Sequence, residues 1–154
     1  MKKAALLVVV VVVAMLAGCS KEPVTITLAA EDADLTTDGA LVLEQDNESG
    51  AYNVGWWETI TDEVSWDINV EQAGSYTVSV NYSCDPQFPG STIVVSVGSQ
   101  SVQGTIRDTG AWSSYITQEL GTINLQAGTR TVSVRASSVA NRFVCNLRTV
   151  VLSN

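Results

Sequence analysis

The sequence predicts an all-β fold for residues 24–154, a single jelly-roll β-sandwich of two antiparallel sheets preceded by an N-terminal signal helix. Three observations carry that prediction. Apolar and polar residues alternate with period 2 in run after run, the pattern of strands with one packed and one wet face. Turn residues fall between the runs at Gly39, Gly50, Gly74, Pro86 to Gly90, Gly98, Gly110 and Gly128, the regular spacing of a sandwich or barrel. No window beyond the first 18 residues sustains the 3.6-residue repeat of an amphipathic helix.

The strands follow in order. Val24–Leu28 alternates, Leu41–Leu43 is short and apolar, and Val64–Val70 puts Val64, Trp66, Ile68 and Val70 on one face. Tyr76–Tyr82 repeats the pattern, and Ile93–Val97 does so less strictly. Val102–Ile106, Tyr115–Ile123, Arg130–Ala136 and Phe143–Leu152 complete the series. Val, Ile, Thr, Tyr and Trp dominate, as β-branched and aromatic side chains fit a pleated surface. Trp66 and Tyr76 sit on the packed faces and read as core. Eight to ten such strands close into two packed sheets. Asn47 to Asn53 reads as a polar loop carrying Tyr52.

The N-terminus reads as a targeting segment. Lys2 and Lys3 precede an apolar run from Ala4 to Ala17, shorter than the roughly 20 residues of a spanning helix but suited to a secretory signal. The run stops at Leu16-Ala17-Gly18-Cys19, which resembles the lipobox of bacterial lipoproteins. That resemblance implies a signal peptide over residues 1–18, cleavage before Cys19, fatty acyl (palmitate-type) lipid on Cys19, and a lipidated tether over 19–23. It implies attachment to the bacterial cell envelope through that lipid. Ser20, in place of the aspartate that holds enterobacterial lipoproteins at the inner membrane, favours the outer membrane.

The chain of 154 residues carries a formal charge of −8, and losing Lys2 and Lys3 with the leader takes it to −10. Such a balance argues against nucleic acid, whose phosphates need a basic patch. There is no histidine, so the usual serine and cysteine triads and the histidine zinc sites are excluded. A glycosidase needs only two carboxylates, but the sixteen acids lie mainly in turns and no pair stands in apolar surroundings. The chain therefore reads as a binder, not an enzyme. With Cys19 lipidated, Cys84 and Cys145 remain, either as a disulfide or as buried free thiols.

A series of landmarks then runs along the domain. Ala30-Glu31-Asp32 follows the first strand, then come Val54-Gly55-Trp56-Trp57 and Asp62-Glu63-Val64-Ser65-Trp66. Ala73-Gly74-Ser75-Tyr76, Thr109-Gly110-Ala111-Trp112, Leu125-Gln126-Ala127-Gly128 and Asn146-Leu147-Arg148-Thr149-Val150 complete the order. In order and spacing this resembles the carbohydrate-binding modules of families 6 and 35, with their galactose-binding-like sandwich. It is most similar to the divergent domains found beside α-L-fucosidases and sulfatases.

The resemblance implies a glycan or polysaccharide as ligand, and a glycoside hydrolase or sulfatase as partner. It places the site among the loops at the sandwich edge, with Trp112 in the Thr-Gly-x-Trp loop and Asn146 near the last strand. Sugars offer flat C–H faces to an aromatic ring and hydroxyl rims to fixed polar groups. The second aromatic is Tyr52 or Trp56. Trp112 has a structural alternative, plugging the end of the sandwich. Of Trp56 and Trp57, neighbours on a strand pointing to opposite faces, one packs and the other is exposed. Arg148 stands where these families often have aspartate, able to meet a ligand hydroxyl or carboxylate or to pair with an acid such as Asp62. The resemblance also implies a structural calcium ion, for which Glu31, Asp32 and Asp34 are weak candidates without a C-terminal acid to complete six to eight oxygens. The leading expectation is a lipoprotein that binds a neutral glycan. The alternative is an envelope lipoprotein that uses the sandwich for structural or protein–protein roles.

Overall fold

The computed structural model describes residues 22–47 and 49–154. The expected signal peptide, Cys19 and most of the expected tether lie outside the described residues.

Eleven strands follow one another: β1 (Thr25–Ala29), β2 (Asp34–Thr36), β3 (Val42–Gln45), β4 (Tyr52–Gly55), β5 (Glu63–Val70), β6 (Gly74–Ser83), β7 (Thr92–Val97), β8 (Gln100–Thr105), β9 (Ile116–Leu125), β10 (Gly128–Ser138) and β11 (Asn146–Ser153). A 3-10 turn, Ala30–Asp32, links the first two. One sheet has the order β3-β4-β11-β6-β9, with β1 also on β11; the other runs β2-β5-β10-β7-β8. Every pairing is antiparallel.

The alternation read from the sequence is the alternation of burial. In β6, Tyr76, Val78, Val80 and Tyr82 are buried, and Val64, Trp66 and Val70 of β5 face them from the other sheet. Burying one such aliphatic or aromatic side chain stabilises by roughly 1.5–3 kcal/mol, so these inward rows hold the sheets together. The buried aromatics also satisfy their polar ends. Trp66 Nε1 donates to Ala29 O at 2.8 Å, and Tyr76 Oη to Gln72 O at 2.7 Å.

Two strands went unread in the sequence. β2 is only three residues long. β4 begins at Tyr52, so the last two residues of the segment read as a polar loop, Tyr52 and Asn53, belong to a hairpin strand and pair with Gln45 and Glu44. Its sequence, Tyr-Asn-Val-Gly, is too short and too polar to show alternation. Conversely, Tyr115 and Phe143 precede β9 and β11 and belong to loops.

β11 shapes the end of the sandwich. Along one edge it pairs with β1 through Thr149 to Ser153, and at Leu147 with Val54 of β4. On its other edge it pairs with β6, with a register shift between Leu147 and Thr149. The loops β4–β5, β6–β7, β8–β9 and β10–β11 all gather at this end.

Candidate functional site

Val54, Leu147 and Tyr82 form one inward row across β4, β11 and β6. Successive strand residues point to opposite faces, so their neighbours Asn53, Gly55, Asn146 and Ser83 belong to the outer face. Asn146 pairs with Ser83, and Glu44 of β3 pairs with Asn53. This platform is the floor of the site.

Gly55 keeps the platform low. A Cβ there would collide with the Glu44 carboxylate and would stand 3.0 Å from Asn146 Oδ1. Glu44 therefore lies across β4, where Asn53 Nδ2 donates to its Oε2 at 3.2 Å and Trp56 Nε1 to its Oε1 at 2.8 Å.

After Gly55 the backbone turns sharply. Trp56 has φ 54°, in the left-handed region that costs a non-glycine residue about 1–2 kcal/mol. The turn separates the two tryptophans. Trp56 is 50% exposed, while Trp57 is fully buried, its Nε1 donating to Thr59 O at 3.1 Å.

The Thr-Gly-x-Trp loop is fastened to the end of β6. Thr109 N donates to Cys84 O at 3.0 Å, and Cys84 N donates to Thr109 Oγ1 at 2.9 Å. Ser83 Oγ donates to Trp112 O at 2.6 Å. Gly110, at φ 93°, makes the turn that a side chain would strain.

Four loops then bring four rings together, one ring from each. Phe143 meets Trp56 edge-on at 5.8 Å between centroids, Trp112 at 6.0 Å and Phe88 at 5.1 Å. Phe88 stacks on Trp112 at 5.7 Å. Val144 N donates to Trp57 O at 2.8 Å and fixes the loop that carries Phe143. Arg142 covers the Phe143 ring at 4.8 Å and pairs with Glu58 at 2.9 Å.

Between these walls lies a pocket of about 250 Å³, lined by Glu44, Trp56, Trp57, Trp112, Phe143, Cys145 and Asn146. Drug-sized ligands need roughly 300–1,000 Å³, so it suits one small ring. A shallower groove runs on from it past Asn53, Trp112 and Asn146 to Ser113 and Tyr115.

Trp112, Asn146 and Trp56 thus stand together around one pocket. Tyr52 lies outside it, half-buried against the core on β4. Arg148 does not line the pocket either; its guanidinium lies 3.5 Å above the Tyr115 ring. It does not pair with Asp62, which is fully buried and accepts a 2.6 Å hydrogen bond from Thr37 Oγ1. Glu44, Phe143 and Tyr115 were missed as site residues. The only sequence signal for Glu44 was a carboxylate ending the apolar run Leu41–Leu43.

Cys84 and Cys145 are both buried and carry free thiols. Burial pushes Cys84 up to about 11, and it raises Cys145 as well, with Cys84 nearby adding to the effect. Glu31 and Asp32 are exposed in the 3-10 turn and Asp34 opens β2. Among the described residues no three acids, histidines or cysteines converge as a cation would require, so Glu31, Asp32 and Asp34 do not by themselves fit the expected calcium site.

A sandwich with an aromatic pocket at its loop end defines the class of galactose-binding-like carbohydrate-binding folds. The family model for carbohydrate-binding module family 35 matches residues 26–140, and the chain belongs to that family. Its fold is similar to a family 35 module from Clostridium thermocellum, with TM-score 0.69 and 20% identity over 84% of this chain and 97% of that one. It is similar to the C-terminal family 6 module of the laminarinase LamC from Zobellia galactanivorans, with TM-score 0.68 and 20% identity over 84% and 99%. A family 6 module of Cellvibrio mixtus lichenase 5A in complex with cellotriose matches with TM-score 0.66 and 22% identity over 84% and 96%. These matches are carbohydrate-binding modules, not catalytic domains. No curated protein matches the chain's sequence.

Proposed function

We propose that this protein is a non-catalytic glycan-binding lipoprotein of the bacterial envelope, and that the loop pocket holds a neutral sugar unit. The observation that carries the reading is the pocket walled by Trp56, Phe143 and Trp112 with Asn146 and Glu44 on its floor. The rings offer flat apolar surface to the C–H face of a sugar. The amide of Asn146 and the carboxylate of Glu44 are placed for its hydroxyls. Glu44 makes the pocket unfavourable for an anion by like-charge repulsion. The lipobox at Leu16–Cys19 supports lipid on Cys19, and Ser20 supports an outer-membrane position. The modules named above belong to a laminarinase and a lichenase, which supports a partner glycoside hydrolase for this chain.

The test is a glycan-array screen of the wild type beside Trp112→Ala, with circular dichroism to show that both are folded. Binding by the wild type alone supports the pocket. Equal binding by the variant would remove it as the site.

A second reading, a protein-interaction lipoprotein, draws on the exposed Val42, Leu43 and Ile60 on the β3 edge and the β4–β5 loop. A folded wild type that ignores the array but retains one envelope protein in a pull-down would favour it.

A further inference from the structure

Cys84 and Cys145 are the two cysteines of the sandwich, and the fold sets them against each other. In the β6–β11 ladder Tyr82 pairs with Leu147 and Ser83 with Asn146. One further step in the same register brings Cys84 opposite Cys145. Both lie on the inner face with Tyr82 and Leu147, and both are buried. The N–H and C=O of Cys84 are turned to Thr109, away from β11. The two cysteines therefore face each other without ladder hydrogen bonds between them, the position where antiparallel Cα atoms come closest, about 4.5 Å apart. A disulfide needs a Cα separation of roughly 4.4–6.8 Å. In the reduced protein Cys84 Sγ is turned to Asp85 O at 3.6 Å, a weak contact that one side-chain rotation gives up.

The pair stands where the two sides of the pocket wall are fixed. Cys84 holds the Thr109 loop through its backbone, and its neighbour Ser83 donates to Trp112 O. Cys145 lines the pocket, and its neighbour Val144 donates to Trp57 O. A bond between the sulfurs joins the Trp112 side of the wall to the Trp57 and Phe143 side. It also closes a loop of about 60 residues, which removes much of the freedom of the unfolded chain.

We propose that Cys84 and Cys145 form a single oxidation site, a cross-strand disulfide that clamps the two sides of the pocket wall. The chemistry is exchange with an external disulfide, that of oxidised glutathione or of an oxidant protein. One cysteine thiolate attacks it, releasing one external thiol and leaving a mixed disulfide, and the second cysteine thiolate then displaces the other. Two protein S–H bonds are lost and one S–S bond is gained, while the external disulfide carries off two electrons and two protons. Exchange takes place as the chain folds, because in the native protein both thiols are buried and burial holds them protonated. The same burial then shields the bond from reductants, and only the reduced form keeps titratable thiols. The envelope position proposed above supplies an oxidising compartment. The site itself is independent of what the pocket binds.

The experiment unfolds the protein in urea and refolds it in two ways, with mixed reduced and oxidised glutathione or with a phosphine reductant. Trypsin cuts after Lys21, Arg107, Arg142 and Arg148, so Cys84 and Cys145 leave on peptides 22–107 and 143–148. Oxidative refolding is expected to yield these peptides joined, two hydrogens lighter than their sum. The joined form should melt about 10 °C above the reduced form. Amide hydrogen exchange over 109–112 and 143–146 should be about tenfold slower in it. Cys84→Ser and Cys145→Ser should melt at the reduced value whichever way they are refolded. Where those variants do not fold, the two forms of the wild type carry the comparison. Separate peptides after oxidative refolding overturn the site. Joined peptides with unchanged exchange at both segments overturn the clamp.

Discussion

The indole Nε1 of Trp56 donates a 2.8 Å hydrogen bond to Oε1 of Glu44. The pair spans the β3–β4 hairpin and holds an exposed tryptophan in a backbone conformation it would otherwise avoid. Glu44→Gln keeps an acceptor but gives up the charge-assisted bond, which is worth about 1–2 kcal/mol more than a neutral one. The expected result is a shift in Trp56 fluorescence, several-fold weaker glycan binding and a melting temperature lower by a few degrees, about 3–6 °C. Unchanged fluorescence in that variant would mean that Glu44 does not set the ring.

Gly55 tests the same arrangement from below. In Gly55→Ala the new methyl displaces the tip of a flexible carboxylate rather than backbone. Stability should fall by no more than about 1 kcal/mol, toward the low end for overpacking. Glycan affinity should fall more than in Glu44→Gln, because Asn146 is crowded as well. Urea unfolding and titration calorimetry separate the two effects.

Phe143 is the ring that the others share. Phe143→Ala removes contacts to Trp56, Trp112 and Phe88 at once. Because it is only half-buried, the cost should be about 2–3 kcal/mol, below the roughly 3–5 of a fully buried phenylalanine. Binding should be lost although Phe143 itself leaves the sugar hydroxyls to others. Phe143→Leu should restore most of the stability and little of the binding, as read by thermal melts and array signal.

The thiols give the fold an alkaline limit. Cys84 is raised from 9.0 to about 11 by burial, with Asp108 and Asp85 adding to it, and Cys145 is raised further in the same direction. An acid whose folded value is raised favours the protonated native state. Its contribution is whole below pH 9 and is lost as pH rises toward 11, because the unfolded chain releases the proton first. The unfolding free energy from urea titrations should fall over that window by up to about 1.4 kcal/mol per pH unit for each thiol. Cys84→Ala should flatten the slope; a slope as steep as the wild type's would assign it to Tyr82, also raised by burial, or to other groups.

Much of this was legible in the sequence because strand alternation is a local signal. Val64–Val70 and Tyr76–Tyr82 declared their faces residue by residue, and the ordered landmarks pointed to the family. Trp112 and Asn146 were legible because the loop motif and the last-strand asparagine carry their own sequence marks. Glu44 and Phe143 were not, because each acquires its place only through pairing. Glu44 reaches the pocket by lying over a glycine on the neighbouring strand, and Phe143 by meeting rings from three other loops. The division between Trp56 and Trp57 depended on a left-handed turn that two identical side chains could not announce. Arg148 was visible as a departure, but its seat on Tyr115 depends on a register shift that no periodicity encodes.

The pairing of β1 with the end of β11 has one more consequence. Val24 N donates to Asn154 Oδ1 at 2.8 Å and Asn154 N to Val24 O at 3.1 Å, so both ends of the domain meet at one pole. The pocket begins at Asn146, eight residues back along the same strand, about 26 Å away at roughly 3.3 Å per step. Whatever is joined to the domain on either side approaches from behind. The pocket end is left pointing outward, and neither a tether nor a neighbouring domain has to cross it.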